Sequence, residues 1–167
     1  ESWLDQRCFK ALDRWFGNLR LVVYAVRQAL AQEVEHPLDI AFGQQILLQG
    51  YTLSTPTVQG GDIMQLTLFW QCHGPIAERL KVFTHLVDPR GNIVAQRDSE
   101  PVGGSQPTSG WRPGEVIRDN YGIVIPPGTP PGTHVLRIGL YQPETGHRLA
   151  VSRNGTTLGD ALDLGHV

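Results

Sequence analysis

From residue 46 onward, apolar and polar positions alternate with a period of two, and that period predicts strands. "IMQLTLFWQC" (63–72) is the clearest case: Met64, Leu66, Leu68, Trp70 and Cys72 share one face, with Gln65, Thr67 and Gln71 on the other beside Ile63 and Phe69. Further strands are expected at 46–53, 80–87, 92–98, 116–125, 133–142 and 147–152, with a short one at 161–167. "DPRG" (88–91) and "PETG" (143–146) serve as turns. Before residue 46 the pattern differs. Leu4, Cys8, Leu12 and Trp15/Phe16 recur at helical spacing, so 2–16 is expected to be an amphipathic helix, capped by Ser2 with Asp5 and stopped by Gly17-Asn18. "LRLVVYAV" (19–26) reads as a strand, and 27–36 as helix or linker.

The pattern predicts an all-β chain: an antiparallel β-sandwich, jelly-roll or immunoglobulin-like, of about eight strands, with a short N-terminal helix. A closed barrel is the lesser option. Residues 1–36 are expected to be the tail of a preceding segment, and 37–167 the sandwich domain. "FGNLRLVVY" (16–24) and "FGQQILLQGY" (42–51) echo one another, but two copies do not make a repeat architecture.

Composition narrows the partners. The net charge is −2 and no long Lys/Arg run exists, which argues against nucleic acid and against an anionic membrane surface. The longest uncharged apolar run, "LVVYAV" (21–26), is far too short to span a membrane, so no direct insertion is expected. Cys8 and Cys72 make no metal-ligand spacing; they allow one disulfide, with two buried thiols favoured.

The search for reactive constellations is mostly negative. There is no phosphate loop and no HExxH, and "GGSQP" (103–107) lacks the strand–elbow–helix setting of a hydrolase serine. The six histidines have neither i, i+4 nor i, i+2 spacing, so no zinc site is expected. Asp88, Asn92, Asp98, Asp119, Asn120 and Asp160 lie at or near loops and would suit Ca²⁺ better, yet no EF-hand-like spacing supports it; no cofactor is expected. A glycosidase would need two carboxylates across a cleft. Asp98, Glu100, Glu115 and Asp119 are close in sequence, but solvated acids on a sandwich are the more ordinary outcome. "NGT" (154–156) matches a glycosylation sequon, although Asn-Gly is first of all a turn signal.

Two groups remain as binding candidates. His85 lies mid-strand in "VFTHLV", and its neighbours depend on the hairpin loop. A two-residue loop places Val94, Gln96 and Asp98 on its face; a three-residue loop with a Gly bulge, slightly favoured by "DPRG", places Ala95 and Arg97 there. Among aromatics suited to stacking on sugar rings, Trp70 reads as core and Tyr121 as buried. Trp111 and Tyr141 remain, with Arg118, Asp119 and Arg137 as polar partners. The ligand candidates are therefore Trp111, His85, Gln96, Asp98, Arg137 and Tyr141. Trp111 stands in "SQPTSGWRPGEVIRDNY" (105–121), a loop stiffened by Pro107, Pro113 and Gly114. Asp119 shares a strand face with Ile117, Tyr121, Ile123 and Ile125, so a part-buried carboxylate is expected there, bonded to loop N–H groups or to the hydroxyls of Thr108 and Ser109. The reading that follows is loop closure by Asp119, Thr108, Pro113 and Gly114, with Trp111 over the end or edge of the core.

Several phrases together carry a resemblance: "VEHPLDIAFGQQILLQGYTL", "GDIMQLTLFWQ", "VFTHLVDPRGNIVAQRDSEPVGG" and "QPTSGWRPGEVIRDNYGIVIPPGTPPGTHVLRIGLYQPETGHRL". Over about residues 16–150 the chain resembles the extracytoplasmic C-terminal β-sandwich region of bacterial multi-pass membrane glycosyltransferases, of the protein mannosyltransferase and aminoarabinose transferase type. The resemblance implies a periplasmic or cell-surface location, tethered to the membrane beside the transmembrane part of the same polypeptide. The family's catalytic acids belong to the membrane part, so no catalytic residue is carried over. The expected function is a non-catalytic module that binds a glycan or positions a glycosylation acceptor. The alternative is a structural or protein-contact domain without a small ligand; a glycoside-active enzyme ranks behind both.

Overall fold

The computed structural model describes residues 1–26, 33–54 and 57–167. They form one short helix and twelve strands in two open sheets. Helix α1 (Ser2–Arg7) precedes strands β1 (Phe9–Phe16), β2 (Leu19–Ala25), β3 (His36–Phe42), β4 (Ile46–Leu53), β5 (Ile63–Cys72), β6 (Lys81–Val87) and β7 (Ile93–Ser99). After two 3-10 turns, at Val102–Gly104 and Thr108–Gly110, come β8 (Val116–Val124), β9 (Val135–Tyr141), β10 (Val151–Arg153), β11 (Thr156–Gly159) and β12 (Leu162–His166). The larger sheet runs β11-β10-β3-β4-β5-β8-β1-β2, and the smaller β12-β9-β6-β7. Neither closes into a barrel.

Every resolved pairing is antiparallel except β1 against β8. One core cluster draws on both sheets. Met64, Leu66, Leu68 and Trp70 of β5 and Ile117, Tyr121 and Ile123 of β8 come from the larger, with Val82 and Leu86 of β6 and Leu136, Ile138 and Leu140 of β9 from the smaller. The period-two face of β5 is thus fully buried. Its other face is partly covered as well, because Thr67 donates to Asn120 Oδ1 (3.0 Å) and the Asn120 amide reaches the Gln6 carbonyl of α1 (3.4 Å).

The N-terminal expectation needs correction. The helix ends at Arg7, and residues 9–16 are strand. Gly17-Asn18 is a two-residue hairpin loop between paired Phe16 and Leu19, with Gly17 at φ +59°, the sign that a II′ turn needs at its first position. Ser2 and Asp5 make no capping box either. Asp5 is buried and holds Lys10 Nζ (2.7 Å) and the Tyr24 hydroxyl (2.7 Å), tying α1 to β1 and β2. Hydrogen bonds and a buried ion pair thus outvote the helical spacing of four apolar residues. Residues 27–32 of the expected helix or linker lie outside the described residues, while His36 already opens β3. The echo "FG…" marks two hairpin turns, with Gly17 and Gly43 at φ +59° and +62°. Asn154-Gly155 is likewise a turn, both residues at positive φ, between β10 and β11. Cys8 and Cys72 are buried free thiols.

Candidate functional site on the outer face of the small sheet

Two bulges decide what His85 meets. Gly91 (φ +87°) sits in a three-residue loop closed by the Asp88 N–H on the Asn92 carbonyl (2.9 Å), as the Pro-Arg-Gly sequence favours. That loop alone would put Ala95 opposite His85. A second irregularity, between the pairs Leu86↔Ala95 and Val87↔Ile93, leaves Val94 unpaired and shifts the register again. The result is His85↔Gln96 and Phe83↔Asp98 across β6 and β7. On the other side, β9 pairs Arg137 with His85, Gly139 with Phe83 and Tyr141 with Lys81, and β12 pairs Asp163 with Arg137. Directly opposed residues share a face. His85, Gln96, Asp98, Arg137 and Tyr141 therefore stand together on the face of the small sheet that looks away from the core.

Phe83 is the centre of this surface. Its ring lies on Gly139, where an added Cβ would collide with it, and the Arg148 guanidinium caps it at 4.5 Å. His85 packs tilted against Phe83 (4.7 Å between centroids), and Tyr141 stands 6.4 Å from Phe83. The Tyr141 hydroxyl donates to Asp98 Oδ2 at 3.3 Å; partial burial and then the Asp98 charge push the phenol pKa up. Arg137 forks onto Asp163 (2.6 and 3.0 Å), which raises the guanidinium pKa further and holds the side chain across the sheet. His85 is only 7% exposed, and its Nε2 has no hydrogen-bond partner among the described residues; Asp98 Oδ1 lies at 3.4 Å but out of line for one. A buried, unsatisfied ring nitrogen at a polar surface is an open position for a ligand group or a water.

The arrangement offers an aromatic ring, a carboxylate, an amide, an imidazole and two fixed guanidinium groups on one rigid sheet. It supplies stacking area and both donors and acceptors. Phe83, Arg148 and Asp163 were not among the sequence candidates. The period placed Phe83 beside His85, but only the Tyr141↔Arg148 bridge brings Arg148 over it, and nothing local marks Asp163.

Trp111 is elsewhere. It is 6% exposed, belongs to the core cluster, and donates from Nε1 to the Gln106 carbonyl (3.0 Å). The loop around it is pinned at several points. Thr108, fully buried, donates to the Glu78 carbonyl (2.6 Å) and accepts from the Leu80 N–H (2.9 Å). Pro113 precedes Gly114 (φ +85°), whose N–H reaches the Cys72 carbonyl (2.7 Å). Asp119 is fully buried, but its partners are not Thr108 or Ser109. It accepts from the Val102 N–H (2.7 Å), the Tyr121 hydroxyl (2.7 Å) and Trp70 Nε1 (3.2 Å). Val102 is a β-branched residue at φ +52°, a strained backbone that this carboxylate helps to hold.

The other acids considered for catalysis or calcium serve local bonds. Glu100 forks onto Arg79 (2.7 and 2.6 Å), Glu115 takes the Arg112 N–H (2.9 Å), and Asp88 holds its own turn through the Arg90 and Asn92 N–H groups. Among the described residues no three His, Cys, Asp or Glu side chains converge as metal ligands, and no helix is long and apolar enough to cross a membrane. No protein-family model and no curated protein matches the chain.

Proposed function

We propose that the chain is a non-catalytic β-sandwich module that holds a glycan, or a glycosylation acceptor, on the outer face of its four-stranded sheet. On this reading the domain works outside the cytoplasmic membrane as an accessory part of a membrane glycosyltransferase, the setting implied by the sequence resemblance. The observation that carries it is the convergence of His85, Gln96, Asp98, Arg137 and Tyr141 on one face, with His85 Nε2 making no hydrogen bond among the described residues. Tyr141 is the half-exposed ring available to a sugar face; Asp98, Gln96 and His85 would read hydroxyls.

Calorimetric titration against a panel of neutral oligosaccharides tests this. At least one should bind, and Tyr141→Ala or His85→Gln should each weaken it roughly tenfold, about 1.4 kcal/mol, while the chain still unfolds in one cooperative transition well above the titration temperature. Trp fluorescence would be a poor reporter, because Trp111 and Trp70 are buried away from this face. Silence across the panel, or binding indifferent to both substitutions, rejects the reading. One observation favours the structural alternative: among the described residues, six of the ten exposed large hydrophobics (Trp3, Trp15, Phe16, Leu19, Leu21 and Val26) lie within the first 26 residues.

A further inference from the structure

A cavity of about 260 Å³ opens at the end of the two sheets between residues 57–60 and residues 129–132, remote in chemistry from the polar sheet face. Leu86 and Ile125, both core residues, form part of its wall with Val58, Pro131 and Val167. None of its described lining residues is Asp, Glu, Lys or Arg, so a charged ligand would be desolvated there without compensation. His134 is the distinctive polar group of the lining. It is 7% exposed, and its Nδ1 lies 2.9 Å from the Gly132 carbonyl. A carbonyl only accepts, so Nδ1 of the neutral ring carries the proton and Nε2 is an acceptor. The volume lies between the roughly 150 Å³ that suffices for benzene and the lower end, about 300 Å³, of ordinary small-molecule pockets.

We propose that this cavity binds an uncharged organic molecule of one or two rings that carries a hydrogen-bond donor, with the apolar body against Leu86, Ile125 and Val58 and the donor on His134 Nε2. The site is independent of the glycan reading, because β6 sends His85 to the outer face and Leu86 to the core.

Indole, phenol and benzene serve as probes in NMR titrations of the whole chain. Indole or phenol should saturate at low millimolar concentration, shift the His134 ring resonances and give intermolecular NOEs to the Leu86 and Val58 methyl groups. Benzene, which has no donor, should bind about tenfold more weakly, and His134→Phe should erase that difference. Val58→Trp should fill the space and abolish binding; the NOEs locate the probe even if that variant does not fold. Absence of saturation by 10 mM of either donor probe, equal affinity for benzene, or NOEs to another region would each overturn the proposal.

Discussion

Asp119 is a fully buried carboxyl at the centre of the fold. Burial pushes its carboxyl pKa from 3.8 up to about 6, against the three hydrogen bonds that favour the anion. Between pH 4 and pH 6 the folded chain holds this proton and the unfolded chain does not. The contribution therefore favours folding at pH 4 and is lost as the pH rises through 6; at 1.36 kcal/mol per pKa unit it amounts to about 3 kcal/mol. Asp119→Asn removes the titration but keeps an oxygen for the Val102 N–H, at the cost of facing an amide NH₂ toward Trp70 Nε1. Denaturant unfolding from pH 4 to 7 should show wild type more stable than this variant, with a gap that shrinks with rising pH. A gap that is constant with pH would contradict the assignment. Glu100 and Asp88 do not confuse the window. The Arg79 side chain and the Asn92 amide hold their pKa values below the ordinary range, so those carboxylates lose their contribution only at lower pH. Asp119→Ala, which also strips the strained Val102 of its acceptor, should lower the melting temperature outright.

At the scale of elements, the junction of β1 with β8 is the point where a small change has a large reach. β1 approaches β8 so closely that a Cβ on Gly122 would lie 2.9 Å from Ala11 Cβ and 3.1 Å from the Phe9 carbonyl oxygen. Much of that obstacle is backbone and cannot rotate away. Gly122→Ala should cost on the order of 1–3 kcal/mol by overpacking. It should also speed hydrogen exchange of the β1–β2 amides more than those of β5 or β6; uniform exchange, or no loss of stability, would show that the contact yields freely. This junction was invisible in the sequence. Leu4, Cys8, Leu12 and Trp15/Phe16 satisfy helical spacing, and Gly17-Asn18 stops a helix as readily as it turns a hairpin. What decides is the buried pairing of Lys10 with Asp5, a contact no periodicity encodes. β3 was missed for a related reason: Pro37 and Asp39 (φ +98°) break the alternation at a bulge. The strands from β4 to β9 were legible because they are rich in β-branched, aromatic and alternating apolar residues, clearest in β5 and β8, and Gly or Pro punctuates them. The polar face was half legible. The residue types at His85, Gln96, Asp98, Arg137 and Tyr141 stood out, whereas their register depended on two bulges, and only the one at Gly91 leaves a mark in the sequence.

Across the whole molecule, four of the exposed large apolar side chains, Trp15, Phe16, Leu19 and Leu21, gather at one end of the β1–β2 hairpin. From Asp13 to Phe16 β1 is exposed on both faces, as is the start of β2 from Leu19 to Leu21, so roughly four residues of the hairpin, about 13 Å, stand clear of the core. Phe16 and Leu19 face one way at the tip, 53% and 69% exposed, and Trp15, 64% exposed, faces the other. A monomeric surface seldom concentrates its apolar area so, and β2 is also the sheet edge, with no Lys or Pro to discourage pairing. If the domain is held in a larger assembly through this corner, Phe16→Ser with Leu19→Ser should leave folding nearly unchanged, within about 0.5 kcal/mol, because neither side chain is buried. The same double variant should bind less of an apolar dye such as ANS and should lose any self-association at this corner seen by sedimentation, while the oligosaccharide binding proposed for the small sheet stays intact. Tyr141→Ala should do the reverse. Loss of both activities in either variant would mean that corner and sheet face are one site. A large fall in stability in the double variant would mean that Phe16 and Leu19 belong to the core after all.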